Sequence, residues 1–177
     1  MVKIQLYIAT SIDGFIARKN GELDWLNNLP NPNNLDYGYN NFLSQIDTVI
    51  IGRKTYEEIL SFGIDWPYGN CKTYVATTDK NYKTKTENSH TINIINKKTI
   101  EEIKTQSKNK IWVVGGGILI SEFLNFNAID EMIICIIPII IGSGIKLFPN
   151  NPLETKFNLI KSEPFETGAI NLTYRAI

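Results

Sequence analysis

The run Ile111-Trp112-Val113-Val114-Gly115-Gly116-Gly117, continued by Ile118-Leu119-Ile120-Ser121-Glu122-Phe123-Leu124, admits few local structures. Four apolar residues rich in β-branched types read as a buried strand. Three glycines then let the backbone turn tightly and lie against something large before a helix begins. N–H groups exposed at a helix start, with no Cβ in the way, form an anion site suited to a nucleotide pyrophosphate. The same residues would also serve a ligand-free strand-to-helix turn. Which of the two holds depends on what the rest of the chain supplies.

Length and charge narrow the field. At 177 residues the chain is most simply one domain, 1–177, large enough to bury a core without disulfides or metals. Lys plus Arg equals Asp plus Glu at 18 each, so nothing global points to nucleic acid or an anionic membrane, and any anion site must be local. Cys71 and Cys135 belong to no zinc-type spacing and read as reduced thiols in a cytoplasmic setting. His90 is the only histidine, which excludes a multi-histidine metal site, and its polar neighbours Glu87-Asn88-Ser89 suggest a surface position. No metal site is expected. The N-terminus is too polar for a signal peptide, and the longest apolar run, Met132 to Ile141, contains Pro138 and falls far short of the ~20 residues of a membrane span.

Taken in order, Val2 to Ala9 alternates as a strand and runs into Ser11-Ile12-Asp13-Gly14, a turn that either lines a site or is simply held by the Asp13 side chain. After the breaker-rich loop Leu29-Pro30-Asn31-Pro32, helical spacing from Leu35 to Ile46 predicts a helix with Asn34 as N-cap and Asp36 in its first turn. Asp47 to Gly52 is a second strand, leading into a helix at Arg53-Lys54-Thr55-Tyr56. Two cations at a helix start oppose the macrodipole, and a bound phosphate would offset them. Gly52-Arg53-Lys54-Thr55 is not a P-loop, because the earlier glycine is missing.

Cys71 to Thr77 forms a third strand, ending in Thr77-Thr78. Thr91 to Ile95 forms a fourth, and Thr99-Ile100-Glu101-Glu102 reads as a capping box opening a helix to about Gln106. Lys110 to Val114 is the fifth strand and Asp130 to Ile137 the sixth. Lys156 to Ser162 and Ile170 to Ala176 close the chain as a hairpin. Alternating strands and helices imply an α/β fold with a largely parallel sheet.

Gly115 and Gly117 match the first two glycines of a Rossmann fingerprint, but Ile120 fills the third place and the stretch lies late in the chain. The cationic turn at Gly52 favours a cofactor with an extra phosphate, so the two turns together suit one extended NADPH.

The order Ser11-Ile12-Asp13-Gly14, Ile51-Gly52-Arg53-Lys54-Thr55-Tyr56-Glu57, Val114-Gly115-Gly116-Gly117, Ile129-Asp130-Glu131, then Pro138 through Gly142-Ser143-Gly144 to Leu147-Phe148 resembles the dihydrofolate reductase superfamily. It is most similar to the branch formed by the reductase domain of riboflavin biosynthesis and its stand-alone bacterial relatives. The resemblance implies a single-domain, three-layer α/β fold: a mixed, mostly parallel eight-stranded sheet, helices on both faces and a C-terminal antiparallel hairpin.

It also implies an NADPH-dependent reductase acting on a pterin or pyrimidine-type substrate, and dimers. In that family pattern the pyrophosphate falls on Gly115, Gly116, Gly117 and Ile118, and further phosphate on Gly52, Arg53, Lys54 and Thr55. Thr77 and Thr78 meet the adenosine side, while Ala9, Phe15 and Ile16 border the nicotinamide. Asp36 stands near the expected place of the proton-relaying acid, although Asn31-Pro32-Asn33-Asn34 and Tyr37-Gly38 depart from the usual helix. Asp13 and Ser11 complete the candidates for polarity toward substrate. A second reading keeps the nucleotide site without turnover, as a cofactor or pterin binder.

Overall fold

Strand-forming alternation and helical spacing follow one another along the chain, and the computed structural model, which describes residues 2–177, turns them into a layered sheet. The elements are β1 (Ile4–Ser11), β2 (Phe15–Ala17), α1 (Asp24–Asn27), α2 (Tyr39–Leu43), β3 (Ile46–Gly52), α3 (Arg53–Ser61), β4 (Lys72–Ala76) and β5 (Ser89–Ile92). They continue with α4 (Lys97–Gln106), β6 (Lys110–Gly115), α5 (Gly117–Asn125), β7 (Glu131–Ile137), β8 (Ile145–Lys146), β9 (Phe157–Pro164) and β10 (Ile170–Ala176).

Eight strands form the main sheet in the order β5-β4-β3-β6-β1-β7-β10-β9. The first six run parallel, and the closing hairpin adds β10 antiparallel to β7 and β9 antiparallel to β10. The central strands are apolar on both faces because helices cover both. On one side Ile100 and Ile103 of α4 and Leu119, Ile120 and Phe123 of α5 pack on Leu6, Ile50, Ile111 and Val113. On the other, Phe42 of α2 meets Val49 and Trp112, and Tyr56 of α3 meets Ile51 and Val75. Val49, Ile50 and Ile51 are all fully buried although their side chains alternate in direction. Each such side chain stabilises the fold by roughly 1.5–3 kcal/mol, which makes this strand a poor place for any polar residue. No helix among the described residues is long and apolar enough to cross a membrane.

Three local expectations change. The helix foreseen from Leu35 begins only at Tyr39, since Asn34, Tyr37 and Gly38 adopt positive φ and interrupt any helix there. Helix α4 begins at Lys97 rather than Thr99: Asn96 is its cap, accepting from the Thr99 amide at 2.9 Å. The fourth strand sits at Ser89–Ile92, two residues earlier than its apolar pattern suggests. The sheet also has a small companion, the antiparallel pair β2 and β8, too short to show any periodicity in sequence.

Candidate active site

Strands β3 and β6 are neighbours, and both end in glycine at the same, carboxyl edge of the sheet, where Ile51 pairs with Gly115. That edge is where open α/β sheets bind ligands. Each strand passes directly into a nine-residue helix, α3 or α5, so two helix N-termini lie side by side. Neither helix has a side-chain cap or an acid in its first turn, and the residues at both N-cap positions, Gly52 and Gly116, are extended. The early N–H groups of both helices therefore remain available, and both dipoles favour an anion at this edge.

The glycines are there because of close approach. A Cβ on Gly117 would lie 2.5 Å from the Lys146 carbonyl oxygen and 2.7 Å from Pro149 Cδ, and one on Gly116 would lie 3.3 Å from Thr55 Oγ1. At Gly52 a Cβ would meet the backbone of Gly115 and Gly116 at 3.5 Å. The two turns thus touch through their backbones. The Gly115–Gly116 peptide bond is cis, with Gly115 at φ 145°. Ile118, the first residue after the glycines, is exposed.

Arg53 opens α3 with its guanidinium 3.5 Å from the Glu57 carboxylate and 5.7 Å from the centre of the Tyr82 ring, while Lys54 is exposed. Glu57 and Tyr82 were invisible as site residues in the sequence, although Glu57 follows Arg53 at the i,i+4 helical spacing. Burial and the Glu57 carboxylate push the Tyr82 phenol up to about 12. Beyond Ala76, which pairs with Gly52, the chain bends at Thr77 and Thr78. The Thr77 hydroxyl accepts from the Asp79 amide at 3.1 Å, and Asn93 donates to the Thr77 carbonyl at 2.9 Å. Both threonines therefore sit at the carboxyl edge beside Arg53's helix, with Thr77 engaged in shaping the turn.

The other flank is built around the end of β1. Ser11 is buried, and its hydroxyl accepts from the Phe15 amide at 3.0 Å. The Asp13 carboxylate accepts from the Gly142 amide at 2.7 Å and the Ile141 amide at 3.2 Å, tying this turn to the loop that follows β7. The Ser11 hydroxyl and those two amides hold the exposed Asp13 carboxyl below its ordinary range. Phe15 and Ile16 lie in β2, which pairs with β8 over the same loop. Ala9 is half-buried, two residues before Ser11, on the sheet face that carries Cys135 opposite it. Asp36 is exposed: its oxygens accept from the amides of Gly38 at 2.9 Å and Asn40 at 3.0 Å, which lower its pKa. Ser11 and Asp13 are joined to each other and to the backbone of Phe15, Ile141 and Gly142, whereas Asp36 bonds only to the amides of its own turn.

Two shallow cavities lie elsewhere, about 300 Å³ beside Tyr74, His90 and Gln106 and about 370 Å³ beside Leu43, Tyr68 and Cys71. Neither touches the glycine turns, so the strand-end geometry locates the candidate site better than cavity volume does.

The mixed eight-stranded sheet in this strand order is a dihydrofolate reductase-like fold. The model of the RibD C-terminal domain family matches residues 66–170, and the chain belongs to that family. It is similar to the protein YwjB of Bacillus subtilis (strain 168), 38% identical over 173 residues that cover 97% of each chain. Among solved structures it resembles a putative riboflavin biosynthesis protein from Shewanella sp. PV-4, with a TM-score of 0.88, 34% identity and 99% of each chain covered. It also resembles dihydrofolate reductase from Enterococcus faecalis complexed with NADP(H), with a TM-score of 0.70 and 17% identity, covering 98% of this chain and 96% of that one. At that identity the likeness is one of fold. Fold and family are those of reductases.

Proposed function

We propose that this protein, one domain throughout, is an NADPH-dependent reductase that transfers a hydride to a pterin or ribosylaminopyrimidine-type substrate. The observation that carries this reading is the pair of uncapped, glycine-lined helix starts in backbone contact, with Arg53 beside them. A dinucleotide fits such a cradle: Gly115, Gly116, Gly117 and Ile118 would take the pyrophosphate, with Gly52, Lys54 and Thr55 facing it from the neighbouring turn. Arg53 would read the 2′-phosphate, and Thr77 and Thr78 would border the adenosine. Ala9, Phe15 and Ile16 would lie along the nicotinamide.

NADPH, when bound, supplies the hydride. The chain's own residues align the ring and exclude water. Ser11 and Asp13 would hold the β1 turn and the loop after β7 in place beside the ring, and Asp36 is the candidate for a proton path through solvent at the rim. The bacterial riboflavin-protein likeness and the NADP(H)-bound fold neighbour support the substrate and cofactor classes. A cytoplasmic homodimer fits the two free, buried cysteines and the edge strand β9, where Leu159 and Ile160 are exposed.

The deciding assay mixes purified protein with NADPH and a panel of pterins and aminopyrimidines and follows the reduced-nicotinamide absorbance. Oxidation dependent on one substrate supports the reductase. Saturable NADPH binding without oxidation against any member would replace it with the binding-protein reading.

A further inference from the structure

Arg53 carries a flexible side chain at the start of α3, and immobilising such a chain at the moment of binding costs affinity. Two groups flank its guanidinium: the Glu57 carboxylate at 3.5 Å and the face of Tyr82, 5.7 Å from the ring centre. The ion pair is the weaker hold. Its side chains are 39% and 40% exposed, and an i,i+4 pair in contact with water is screened. A carboxylate beside Arg53 also repels any phosphate that Arg53 would bind. The ring has neither defect. It attracts the guanidinium through its electron-rich face, adds no net charge and occupies none of the five N–H donors.

Tyr82 is in turn fixed to the helix that carries Arg53. The segment from Asp79 to Glu87 joins β4 to β5, and its residues alternate: Tyr82, Thr84 and Thr86 are half-buried, while Lys83 and Lys85 are exposed. The hydroxyl of Tyr56, three residues along α3 from Arg53, accepts from the amides of Lys85 and Thr86, both at 2.9 Å. Tyr56 is fully buried, so water does not compete for these bonds. At the other end of the segment the Tyr82 amide donates to the Asp79 carbonyl at 3.3 Å, and the Asn93 side chain donates to the carbonyls of Thr77 and Asp79.

The Tyr82 side chain packs against the cluster of Ile51, Tyr56 and Val75, and its hydroxyl oxygen is buried without a hydrogen-bond partner. An unpaired buried hydroxyl stabilises nothing. What Tyr82 offers Arg53 is therefore its ring face, held in place by the loop and by packing.

We infer that Tyr82 is a positioning residue for the 2′-phosphate of the cofactor: its ring preorganises Arg53 and, through Arg53, strengthens the preference for NADPH over NADH. The inference rests on the reductase reading above and adds to it the group that holds Arg53 ready.

The test measures dissociation constants of NADPH and NADH by nicotinamide fluorescence for variants at position 82, with thermal melting to check folding. Tyr82→Phe keeps the ring face and should bind NADPH within about twofold of wild type. Tyr82→Leu keeps apolar bulk without that face, and should weaken NADPH about fivefold with NADH unchanged. Pentafluorophenylalanine in place of Tyr82 keeps the shape of Phe and reverses the polarity of its face. It should weaken NADPH at least as much as Leu does, and it decides alone if the Leu variant does not fold. In an Arg53→Ala background, Tyr82→Leu should weaken NADPH no further, because the ring acts only through Arg53. Unchanged NADPH binding in folded Tyr82→Leu or in the fluorinated variant, a loss in Tyr82→Phe equal to that in Tyr82→Leu, an equal loss for NADH, or a further loss in the Arg53→Ala background overturns the inference and leaves the reductase reading standing. Wild type that binds NADH as tightly as NADPH overturns the 2′-phosphate assignment of Arg53 along with it, and wild type that binds neither nucleotide overturns the reductase reading as well.

Discussion

Helix α4 and the pair α3 and α5 begin in opposite ways. At α4 the Asn96 side chain accepts from the Thr99 amide, the usual means by which a helix satisfies its own first turn. At α3 and α5 the N-cap residue is glycine and no side chain reaches back; α3 opens on two cations, Arg53 and Lys54, as α4 does on Lys97 and Lys98, so the contrast lies in the cap and not in the charge. A helix that has only to fold is closed by its own sequence. The two helices at the carboxyl edge are left open together, and their starts meet at one place on that edge. Among the three longer helices, the difference marks the two that start at the carboxyl edge of the sheet.

The contrast can be broken most forcefully at Gly117. Replacing it with Ala drives a Cβ into the Lys146 carbonyl and Pro149, and we expect a loss of about 3 kcal/mol, the upper end for overpacking, seen as a drop of several degrees in the thermal midpoint. A melt identical to wild type would show that the turn tolerates a side chain. Arg53→Ala should weaken NADPH by about 2 kcal/mol, roughly 30-fold, and leave NADH almost unaffected. Equal losses for both nucleotides, measured by nicotinamide fluorescence, would remove Arg53 from the 2′-phosphate.

Closing an open helix is the sharper test. Gly52→Asp gives α3 a capping carboxylate in a backbone conformation that any residue can adopt, and its Cβ makes only ordinary contact. Stability should hold or rise by a few tenths of a kcal/mol, while NADPH affinity falls about tenfold through repulsion at the same N–H groups. Tight NADPH binding by this variant would mean that the α3 N-terminus is not part of the cradle. The reciprocal change, Asn96→Ala, should cost about 1 kcal/mol of stability in denaturant titration with no effect on nucleotide binding.

The smallest effect concerns pH. The Asp13 carboxyl is lowered in the folded protein from its ordinary 3.8, so its contribution is fully present above that value and is lost as pH falls through the lower folded one. The stability difference between wild type and Asp13→Asn should therefore be small at neutral pH and disappear in strong acid. A difference that grows on acidification would reverse the sign.

Much of the fold could be read along the chain because it is written in local periodicity. The eight main strands and the helices after Gly52, Asn96 and Gly116 follow from alternation, helical spacing and glycine at the turns. The helix foreseen at Leu35 failed because its apolar spacing is real but Asn34 and Tyr37 take left-handed conformations, which no hydrophobic pattern reports. The candidate site was half readable. Gly115, Gly116, Gly117 and Arg53 stand out by residue type, whereas Asp13 looked like a polar group for substrate until the amides of Ile141 and Gly142, from the far end of the chain, accounted for both its oxygens. Tyr82 carried no signal at all, because a tyrosine in an irregular loop has meaning only once the helix it faces is known.

The sequence by itself determined the pieces: which segments extend, which coil, and where glycine and cations make a helix start fit for phosphate. Those are properties of a residue and its near neighbours. Only the tertiary structure decided that β6 inserts between β3 and β1, and so that Gly52 and Gly115 meet. That contact depends on strand order, which is set by burying both faces of the whole sheet at once. It brings two glycine turns that are far apart in sequence together as one candidate cradle.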